Sequence, residues 1–593
     1  MIAWFRKMRE ENAMLARLVV RLLPVQAAIV AMGSVNSLVD GVVAARFIDP
    51  STVGVIGLYY TMVRILEAAG AVLLGGVSVL SGRYLGSGRI DRTRGICSLG
   101  MALAVGIGAV LTFFSFALPA WIADLLGANA QLREPLKTYI LGYAFGIIPL
   151  LLGQQIAADI QLERQEKLGH AAVAAMITTN VLFDVLFVAV WHMGVLGLAL
   201  ATSLANLVYF LVVLRYYFTG KAQLLPGLKT IDWGETGELL KIGFPNALLV
   251  FCLAARSLVI NRLLLACVGS DGLSALSSFN MVCGLILAVA IGAGSLVRIL
   301  TSVFLGEENR EGILQEVRLF CTCVMALMVL IAVIEILMAP VLAALFFPDT
   351  GSEVYRLAKQ LFTIYGIGIP LTLLCLVYSN YCQAAGFRLL VNILSLTDGF
   401  FSMVIPALIL APRLGALGVW LSFPLGLLIT LAVSMTAPIL HYRRWPRGLE
   451  EWLMLPEDFG RGEYLILNLH TLEDVTRTAE TVQAFCDARG LTGRTGAHAG
   501  LCLEEIAGNV MQHGFHADRR HHVVELRVVP REEGVTLRIK DDCIPFNPQE
   551  WYEMTRASSD DPFRNVGIRL VYAVAREVEY QNLLGLNVLT IQL

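Results

Sequence analysis

The chain has 593 residues, of which 56% are hydrophobic and only 16% carry an acidic or basic side chain. Because about a quarter of the residues of a typical soluble domain are charged, this composition excludes an ordinary soluble protein and predicts a polytopic membrane protein. The net charge of −2 gives no reason to expect a nucleic-acid partner. None of the eleven cysteines has the spacing of a zinc site or a disulfide framework, so we interpret them as buried thiols.

Residues 1–24 form a charged, amphipathic N-terminal segment that lacks the compact apolar core of a signal peptide and is predicted to be cytoplasmic. Twelve apolar segments long enough to span a bilayer follow. They predict an N-terminal lobe at 25–217, an inter-lobe loop at 218–242 and a C-terminal lobe at 243–440. The twelve segments are 25–47, 53–80, 95–118, 135–160, 170–191, 195–217, 243–267, 273–303, 316–345, 360–384, 389–410 and 414–440.

The basic residues predict how these segments are oriented. Most of them lie on one side of the predicted bundle: in the N-terminal segment, in the loop after the second span and after the last span. The other side has fewer, such as Arg133 and Lys137. Cytoplasmic loops carry an excess of Lys and Arg. We therefore expect both termini to be cytoplasmic, in agreement with an even number of spans, and the membrane to be the inner (plasma) membrane.

The two halves of the membrane region repeat each other at an almost constant offset of 220 or 221 residues. The repeat includes glycine, proline and loop positions, which argues against chance similarity between apolar helices. We therefore predict two six-helix lobes related by an axis along the membrane normal, with a cavity between them. The matching positions are Ser37-Leu38-Val39 with Ser257-Leu258-Val259, Leu85-Gly86 with Leu305-Gly306, Pro149 with Pro370 and Gly197 with Gly418.

Four segments of the first half carry a resemblance to a known family. They are SLVDGVVAARF at 37–47, LSGRYLGSGRIDRTR at 80–94, TNVLFD at 179–184 and GVLGLA at 194–199. In this order and spacing they resemble the MATE (multidrug and toxic compound extrusion) transporters of the MOP flippase superfamily, over about the first 440 residues. The resemblance implies a secondary antiporter that exchanges Na+ or H+ for an organic small molecule. A sister family that flips lipid-linked saccharides is the alternative within the superfamily.

Asp40 is the first candidate for binding the coupling ion. It lies inside the first apolar segment, where an ionisable residue is costly and by default marks an ion or substrate path. The resemblance also implies a functional aspartate in this segment, and Asn36 lies one turn before it. A salt bridge or a hydrogen bond between helices is the structural alternative.

Polar residues on two later helices extend this candidate ion site. Asn180 and Asp184 are four residues apart and share one helix face. Gln154, Gln155 and Asp159 line the preceding helix at a compatible spacing. Together they predict a polar cluster in the N-terminal lobe that binds the ion, with interhelical packing as the alternative.

The C-terminal lobe departs from the pattern of cation exporters. Ile260 stands where the repeat would place a second Asp40, and Arg256 lies one turn away near the middle of a span. Arg262 and Arg298 are nearer the segment ends, where their side chains can reach the interface. Glu335 is the clear carboxylate of this lobe, and we expect it to pair with one of these arginines. A cation facing the cavity favours anionic or zwitterionic cargo.

The character of the chain changes after residue 440. A basic linker with Pro and Gly is predicted at 441–461, and a soluble α/β domain at 462–593. Thr471 and Asp474 predict the cap of a helix that runs to about Arg489. The remaining elements are predicted to be a helix at 494–513 stopped by Gly514, strands at 522–529 and 534–540, a short helix at 567–576 and two final strands.

This C-terminal domain resembles the GHKL-type ATP-binding domains, specifically the anti-sigma-factor serine kinases. The segment LCLEEIAGNVMQHGF at 501–515 resembles their N-box, and KDDCIPFNP at 540–548 resembles their adenine-binding D-x-G box. The resemblance implies roles for five residues of this chain. Asn509 would complete the Mg2+ shell around the phosphates, Glu505 would act as a base, Asp541 would read adenine, and His513 and Gly567 would belong to the nucleotide site.

Two departures from the GHKL pattern weaken the prediction of nucleotide binding. Cys543 stands where the D-x-G glycine belongs, and Asn565 replaces the first glycine of a Gly-x-Gly whose second member is Gly567. A degenerate domain kept for binding a protein is the alternative. His513, His516, His521 and His522 could suggest a metal, but we interpret them as a solvated cluster.

The sequence therefore predicts a polytopic α-helical membrane protein of twelve spans in two six-helix lobes, with a C-terminal cytoplasmic GHKL-like α/β domain. The main hypothesis is an antiporter driven by Na+ or H+ and regulated by a domain that binds Mg-ATP. ATP is not expected to power transport, because the chain has no GxxxxGK[ST] loop. The rival hypothesis is a membrane sensor whose C-terminal domain is a serine kinase or binds a cytosolic, STAS-like regulatory protein.

Overall fold

The computed structural model describes most of the chain. The described residues are 15–28, 30–31, 52–87, 89–126, 132–163, 166–218, 222, 224–227, 229–347, 349–460, 464–491, 493–515, 522–531, 534–557, 566–583 and 586–593. They divide into two compact units. One unit, the membrane region, comprises Val19–Gln161 and Gln165–Leu455. The other comprises Pro456–Leu593 with the described parts of Met1–Leu18 and Leu162–Arg164.

Eleven helical spans in the described part of the chain are long and apolar enough to cross a bilayer. They confirm the second to twelfth predicted spans as helices, while most of the first predicted span, 25–47, lies outside the described residues. The helices up to the linker are α1 (15–28), α2 (Thr52–Gly86), α3 (Ile90–Ala117), α4 (Pro119–Leu125), α5 (Arg133–Leu162), α6 (Glu166–Asp184), α7 (Gly194–Leu214), α8 (Thr236–Cys267), α9 (Ser270–Gly306), α10 (Arg310–Leu319), α11 (Met325–Phe346), α12 (Glu353–Ala385), α13 (Arg388–Leu396), α14 (Ser402–Leu414), α15 (Ala416–Tyr442) and α16 (Leu449–Trp452).

Three of the spans contain a π-helical segment, at Val185–Val190, Phe320–Val324 and Thr397–Phe401. The first segment extends α6, and the other two join α10 to α11 and α13 to α14 without a turn. Short π-helical segments inside α-helices are rare and occur frequently at functional sites. One of the three directly follows Asp184, and another contains Asp398.

The predicted repeat has a direct structural counterpart where α2 and α9 end. The two helices end at Gly86 and Gly306, the glycines related by an offset of 220. A β-carbon on Gly86 would overlap the carbonyl oxygen of Val303, and one on Gly306 would overlap that of Arg83. Each glycine therefore lies against the backbone of the partner helix, and the two α-carbons approach each other. Only glycine permits this contact between the two lobes.

The C-terminal domain is a five-stranded antiparallel sheet in the order β1-β2-β3-β5-β4. Its helices α17 and α18 share a hydrophobic core with the sheet, to which they contribute Val482 and Leu503 and the sheet contributes Leu537. Its elements are β1 (Leu465–Leu469), α17 (Leu472–Asp487), α18 (Gly493–Asn509), β2 (Val524–Arg531), β3 (Gly534–Asp541), α19 (Pro548–Ala557), α20 (Val566–Val574), β4 (Glu577–Leu583) and β5 (Leu586–Gln592).

The predicted cap of the first helix in this domain is present. The side chain of Thr471 accepts a hydrogen bond from the Asp474 amide, while the Asp474 carboxylate accepts from the amides of Thr471 and His470. The second predicted helix is also found, but a π-helical segment from Val510 to Gly514 completes it. Helix α19 was not predicted from the sequence.

Candidate functional site

The candidate ion site of the N-terminal lobe is only partly described. Asp40 and Asn36 lie outside the described residues. Asn180 and Asp184 are both fully buried on α6, and the Asn180 amide donates to Thr202 on α7 at 3.5 Å. The Asn180 side-chain oxygen has no hydrogen-bond partner among the described residues. Asp184 directly precedes the π-helical segment of this span.

The polar residues of α5 do not all join this pair. Asp159 is buried and accepts a hydrogen bond at 2.8 Å from the hydroxyl of Tyr217, a residue just after the end of α7. It lies three residues from the end of α5, whereas Asp184 lies eighteen residues from the start of α6. Because a helix rises 1.5 Å per residue and a short turn joins α5 to α6, the two carboxylates differ in depth by about 22 Å. The predicted compatible spacing is therefore wrong for Asp159.

The two glutamines of α5 face different neighbours. Gln154 lies against Gly70 of α2, while Gln155 is buried beside Gly100 of α3. Neither polar atom of the Gln155 amide has a hydrogen-bond partner in the part of the chain that the structure describes. A buried amide without partners is costly, so Gln155 is a plausible position for a ligand or a water molecule to bind.

Arg256 and Glu335 lie near each other in the C-terminal lobe. The charges of both act on Cys283 and Tyr365, whose thiol and hydroxyl are 3.6 Å apart. Helix rise places all four residues at a similar depth, about 16–20 Å from the same ends of their helices. The predicted pairing is nevertheless absent. Glu335 is only 4% exposed, and neither of its oxygens has a hydrogen-bond partner among the described residues.

Arg256 instead donates to the carbonyl oxygen of Asp398 at 3.2 Å. The Asp398 side chain accepts from Thr430 on α15 at 3.5 Å and lies inside the π-helical segment Thr397–Phe401. Sequence analysis missed Asp398, although the criterion that selected Asp40, a carboxylate inside an apolar span, also applies to it. The C-terminal lobe therefore places the buried carboxylate of Glu335 and the half-buried carboxylate of Asp398 in the neighbourhood of Arg256.

The predictions for the other two arginines have different outcomes. Arg262 is exposed on α8, as expected for a side chain near a helix end. Arg298 lies eight residues before the end of α9 and donates to Asn380 on α12 at 3.4 Å. Its side chain is therefore held inside the lobe, and the prediction that it extends to the interface is wrong.

Polar contacts accompany the Gly86–Gly306 contact; those of Arg83 and Asn246 join the two lobes, and the others lie within the C-terminal lobe. Arg83 donates to the carbonyl oxygen of Ala384 at 2.6 Å, and Arg388 forms an ion pair with Glu238. Gln383 and Asn246 donate to backbone carbonyls of the facing helices at 3.0 and 3.1 Å. We call this end of the membrane region the closed end.

The first part of the linker is packed on the C-terminal lobe. Glu450 forms an ion pair with Arg310, which begins α10 four residues after Gly306. The hydroxyl of Tyr381 donates to the carbonyl oxygen of Leu453 at 2.7 Å, and Leu455 is buried. The linker is thus attached to the helix ends that form the closed end.

The candidate nucleotide site of the C-terminal domain brings its two predicted phosphate elements together. A β-carbon on Gly567, at the start of α20, would overlap the Glu505 carboxylate on α18. Asn509 is half-buried one turn further along α18, and His513 is exposed. Asn565 lies outside the described residues. The Glu and Asn of the N-box therefore face the first turn of α20, where backbone amides favour phosphate.

Asp541 is held by donors at the adenine end of this site. Its Oδ1 accepts from the Asn587 amide at 2.7 Å and from the Cys543 amide at 2.9 Å. Burial raises the pKa of Asp541, and these two hydrogen bonds oppose the rise. Asn587, which pairs with Asp541 across β3 and β5, was missed because an asparagine in a strand carries no sequence signal of its own.

Cys543 is buried as interpreted from the sequence, whereas His522 departs from expectation. The Cys543 side chain is 2% exposed and packs against Gly514, so it does not extend into an open site. The prediction of a solvated histidine cluster is wrong for His522, which is 6% exposed and has Nδ1 3.1 Å from Asp542 Oδ1. His516 and His521 lie outside the described residues.

Two family models match the chain. Residues 27–186 and 245–408, together more than half of the chain, match the model described as MatE. Residues 469–593 match the histidine kinase-like ATPase domain. Both resemblances seen in the sequence are thereby confirmed.

Known proteins and solved structures agree with the MatE match. The multidrug export protein MepA of Staphylococcus saprophyticus is 25% identical over 246 residues, which is 39% of this chain and 53% of that protein. The chain thus matches about half the length of this curated relative.

Two solved structures share the fold of the membrane region. A variant of the Vibrio cholerae MATE transporter VcmN has a TM-score of 0.67 at 17% identity, over 72% of this chain and 98% of that one. A Pyrococcus furiosus MOP superfamily transporter described as having a binding pocket of reverse polarity has a TM-score of 0.64 at 19% identity, over 72% and 96%.

Proposed function

The chain belongs to the MatE family, and from this premise we propose that it is a secondary antiporter, driven by Na+ or H+, that exports an organic small molecule. The observation that carries the ion coupling is Glu335, a buried carboxylate with no hydrogen-bond partner among the described residues. Such a group is costly inside a membrane unless it exchanges a proton or binds a cation. Asp184 and Asn180 support a second polar site in the N-terminal lobe, and Asp40 with Asn36 belongs to this proposal.

The cargo is proposed to bind between the lobes, with Arg256 contributing to its selection. Arg256 carries a guanidinium group, and within the described part of the chain it donates to a backbone carbonyl, that of Asp398. A cation at this depth attracts negative charge more strongly than it would in water. This favours an anionic or zwitterionic cargo over a purely cationic one.

The closed end is proposed to face the cytoplasm, with both termini, in the inner (plasma) membrane. The excess of basic residues in the loop after α2 and after α15 supports this orientation. The described conformation would then be outward-facing, and opening the Gly86–Gly306 contact would give the inward-facing state.

The C-terminal domain is proposed to regulate this opening through bound Mg-ATP. Asn509 would hold the Mg2+ and Glu505 would be the base of any turnover. The linker supports the route of coupling, because Glu450 and Leu453 contact Arg310 and Tyr381 beside the closed end. If nucleotide binds differently in the two states, it must shift the transport equilibrium. A STAS-like cytosolic protein is the proposed partner if the domain binds no nucleotide.

Dye transport into proteoliposomes tests the antiport. Full-length protein is reconstituted, and a Na+ or a pH gradient drives movement of ethidium, an organic cation, or calcein, an organic anion. We expect one gradient to drive one of the dyes, and Asp40→Asn to abolish that movement. Asp91→Asn, which neutralises a carboxylate that is almost fully exposed, is the matched control. Undiminished gradient-driven flux in Asp40→Asn would remove Asp40 from the ion site.

Nucleotide regulation has its own test in the same vesicles. Transport is compared with and without Mg-ATP for the wild type, for Asn509→Ala and for Gln512→Ala, an exposed amide on the same helix. We expect only Asn509→Ala to lose the response. If none of the three responds and calorimetry detects no nucleotide binding, regulation by nucleotide is wrong. Phosphorylation of a partner without any transport would favour the sensor hypothesis.

A further inference from the structure

The hairpin of β2 and β3 brings three potential metal ligands to one end of the C-terminal domain. The strands pair Val524 with Asp541, so continuing the register by two residues places His522 opposite Cys543. The Val523 amide donates to Asp542 Oδ1 at 3.3 Å, which shows that the pairing geometry continues past the last strand residue. The ligand atoms of His522, Asp542 and Cys543 all lie within 4.8 Å of one another. Among the described residues this is the one such group of three.

Burial gives this trio the character of a built site. The His522 and Cys543 side chains are almost completely removed from solvent, and the Asp542 side chain is 17% exposed. Buried polar groups in this combination need a compensating partner. Without a metal, His522 Nδ1 and Asp542 Oδ1 share a hydrogen bond at 3.1 Å. The Cys543 thiol, whose side chain also interacts with the Asp541 carboxylate, lies at the same point.

We propose that His522, Asp542 and Cys543 form a zinc site. Zn2+ is bound tetrahedrally by cysteine, histidine and aspartate at about 2.0–2.3 Å, so its ligand atoms lie about 3.3–3.8 Å apart. The trio needs to contract by only about 1 Å to reach this spacing. A thiolate favours zinc over Mg2+ or Ca2+, and the two negative charges of thiolate and carboxylate balance the ion. The fourth position is open to water or another ligand.

The outer contacts of the trio fit this assignment. Arg17 Nη1 donates to Asp542 Oδ2 at 2.6 Å, which leaves Oδ1 on the side of His522 and Cys543. Carboxylate ligands are commonly oriented in this way by a second hydrogen bond. Zinc would replace the proton between His522 and Asp542, and the thiol would lose its proton. The cysteine that departs from the D-x-G pattern is thereby explained as a metal ligand, independently of whether the domain binds nucleotide.

Metal binding by the full-length protein, purified without a histidine tag and treated with a chelator, tests the site. We expect one Zn2+ per chain in competition with a fluorescent zinc indicator. Co2+ in its place should show thiolate-to-cobalt charge-transfer absorption. His522→Gln and Cys543→Ser should each weaken Zn2+ binding at least tenfold, and Cys543→Ser should abolish the charge-transfer band. Cys502→Ser, another buried cysteine of the domain, is the matched control and should leave both unchanged.

The result that overturns the proposal is equally defined. A wild-type protein that binds no stoichiometric Zn2+, or whose Co2+ form lacks the thiolate band, has no such site. Binding that survives in both variants places the metal elsewhere and also rejects the assignment. If Cys543→Ser does not fold, the wild-type Co2+ spectrum together with His522→Gln decides, because the glutamine retains much of the size and polarity of the imidazole.

Discussion

Two buried carboxylates, Glu335 in the membrane region and Asp541 in the C-terminal domain, have almost the same exposure, 4% and 5%. Their surroundings differ completely. Glu335 has no hydrogen-bond partner in the described part of the chain, whereas Asp541 accepts from Asn587 and from the Cys543 amide. A carboxylate without donors is free to gain and lose a proton or a cation. A carboxylate held by donors is a fixed acceptor with a set direction.

The same difference extends to the neighbours of each residue. Near Glu335, Arg256 donates to a backbone carbonyl and not to the carboxylate. Around Asp541 the β3–β5 register places one donor, Asn587, and the turn after β3 places the other, the Cys543 amide. We therefore expect Glu335 of the membrane region to change its protonation or its bound ion, and Asp541 of the C-terminal domain to stay a fixed hydrogen-bond acceptor. Four substitutions test this contrast.

Glu335→Gln is expected to have the largest effect. If Glu335 exchanges the coupling ion, its neutral analogue should reduce gradient-driven flux in proteoliposomes by at least tenfold. The same change should raise the melting temperature at alkaline pH, where the wild-type side chain would carry a buried charge without partners. A variant that transports normally, or that is destabilised, would show that Glu335 is held by a partner, as Asp541 is. Glu311→Gln at a partly exposed site is the control.

Gly86→Leu should have the next largest effect, because it acts on the close contact between the two lobes. The leucine cannot fit against the Val303 carbonyl, so the closed end should open and stability should fall by about 1–3 kcal/mol. Gly306→Leu should behave in the same way, since the two glycines contact each other's helix. Hydrogen exchange at the ends of α2 and α9 measures the opening. Gly106→Leu is the control, because no atom lies within 4 Å of a β-carbon built there.

Arg256→Ala should change selectivity more than it changes rate. Removing the cation should weaken transport or binding of an anionic dye such as calcein several-fold more than that of ethidium, because only the anion loses an attraction. Dye displacement at several salt concentrations measures both. Equal effects on the two dyes would mean that Arg256 serves only to hold Asp398. Arg262→Ala, which is exposed on the same helix, is the control.

The sequence was sufficient for the parts of this molecule that depend on local patterns. Apolar length predicted the second to twelfth spans, and the offset of 220 predicted that Gly86 and Gly306 occupy equivalent positions, although not that they contact each other. The Thr471–Asp474 cap followed from the spacing of two residues. These features depend on helix rise, hydrophobicity and backbone geometry, which are all readable along the chain.

The partners of buried polar groups could not be predicted in the same way. Whether Arg256 meets Glu335 or the Asp398 carbonyl depends on the rotation of three helices, which hydropathy does not encode. Asn587 became visible only once the β3–β5 register was known. His522 and Cys543 are twenty-one residues apart in sequence, and the hairpin alone brings them together.

The smallest effect is expected at Asp474, a partly exposed carboxylate that is held by donors. The amides of His470 and Thr471 donate to it and lower its pKa. A carboxylate with a lowered pKa stabilises the folded state above its ordinary pKa, and that stability is lost as the pH falls through the folded value. Asp474→Asn should cost about 0.5–1 kcal/mol at pH 7. The difference from the wild type should disappear only as the pH falls below the lowered pKa of Asp474, where both side chains are neutral. Hydrogen exchange of α17 in the full-length protein measures this, with the exposed Glu480→Gln on the same helix as control. A difference that stays constant with pH would mean that the cap acts through shape alone, and that hydrogen-bond donors are not what separates the carboxylates of the C-terminal domain from Glu335.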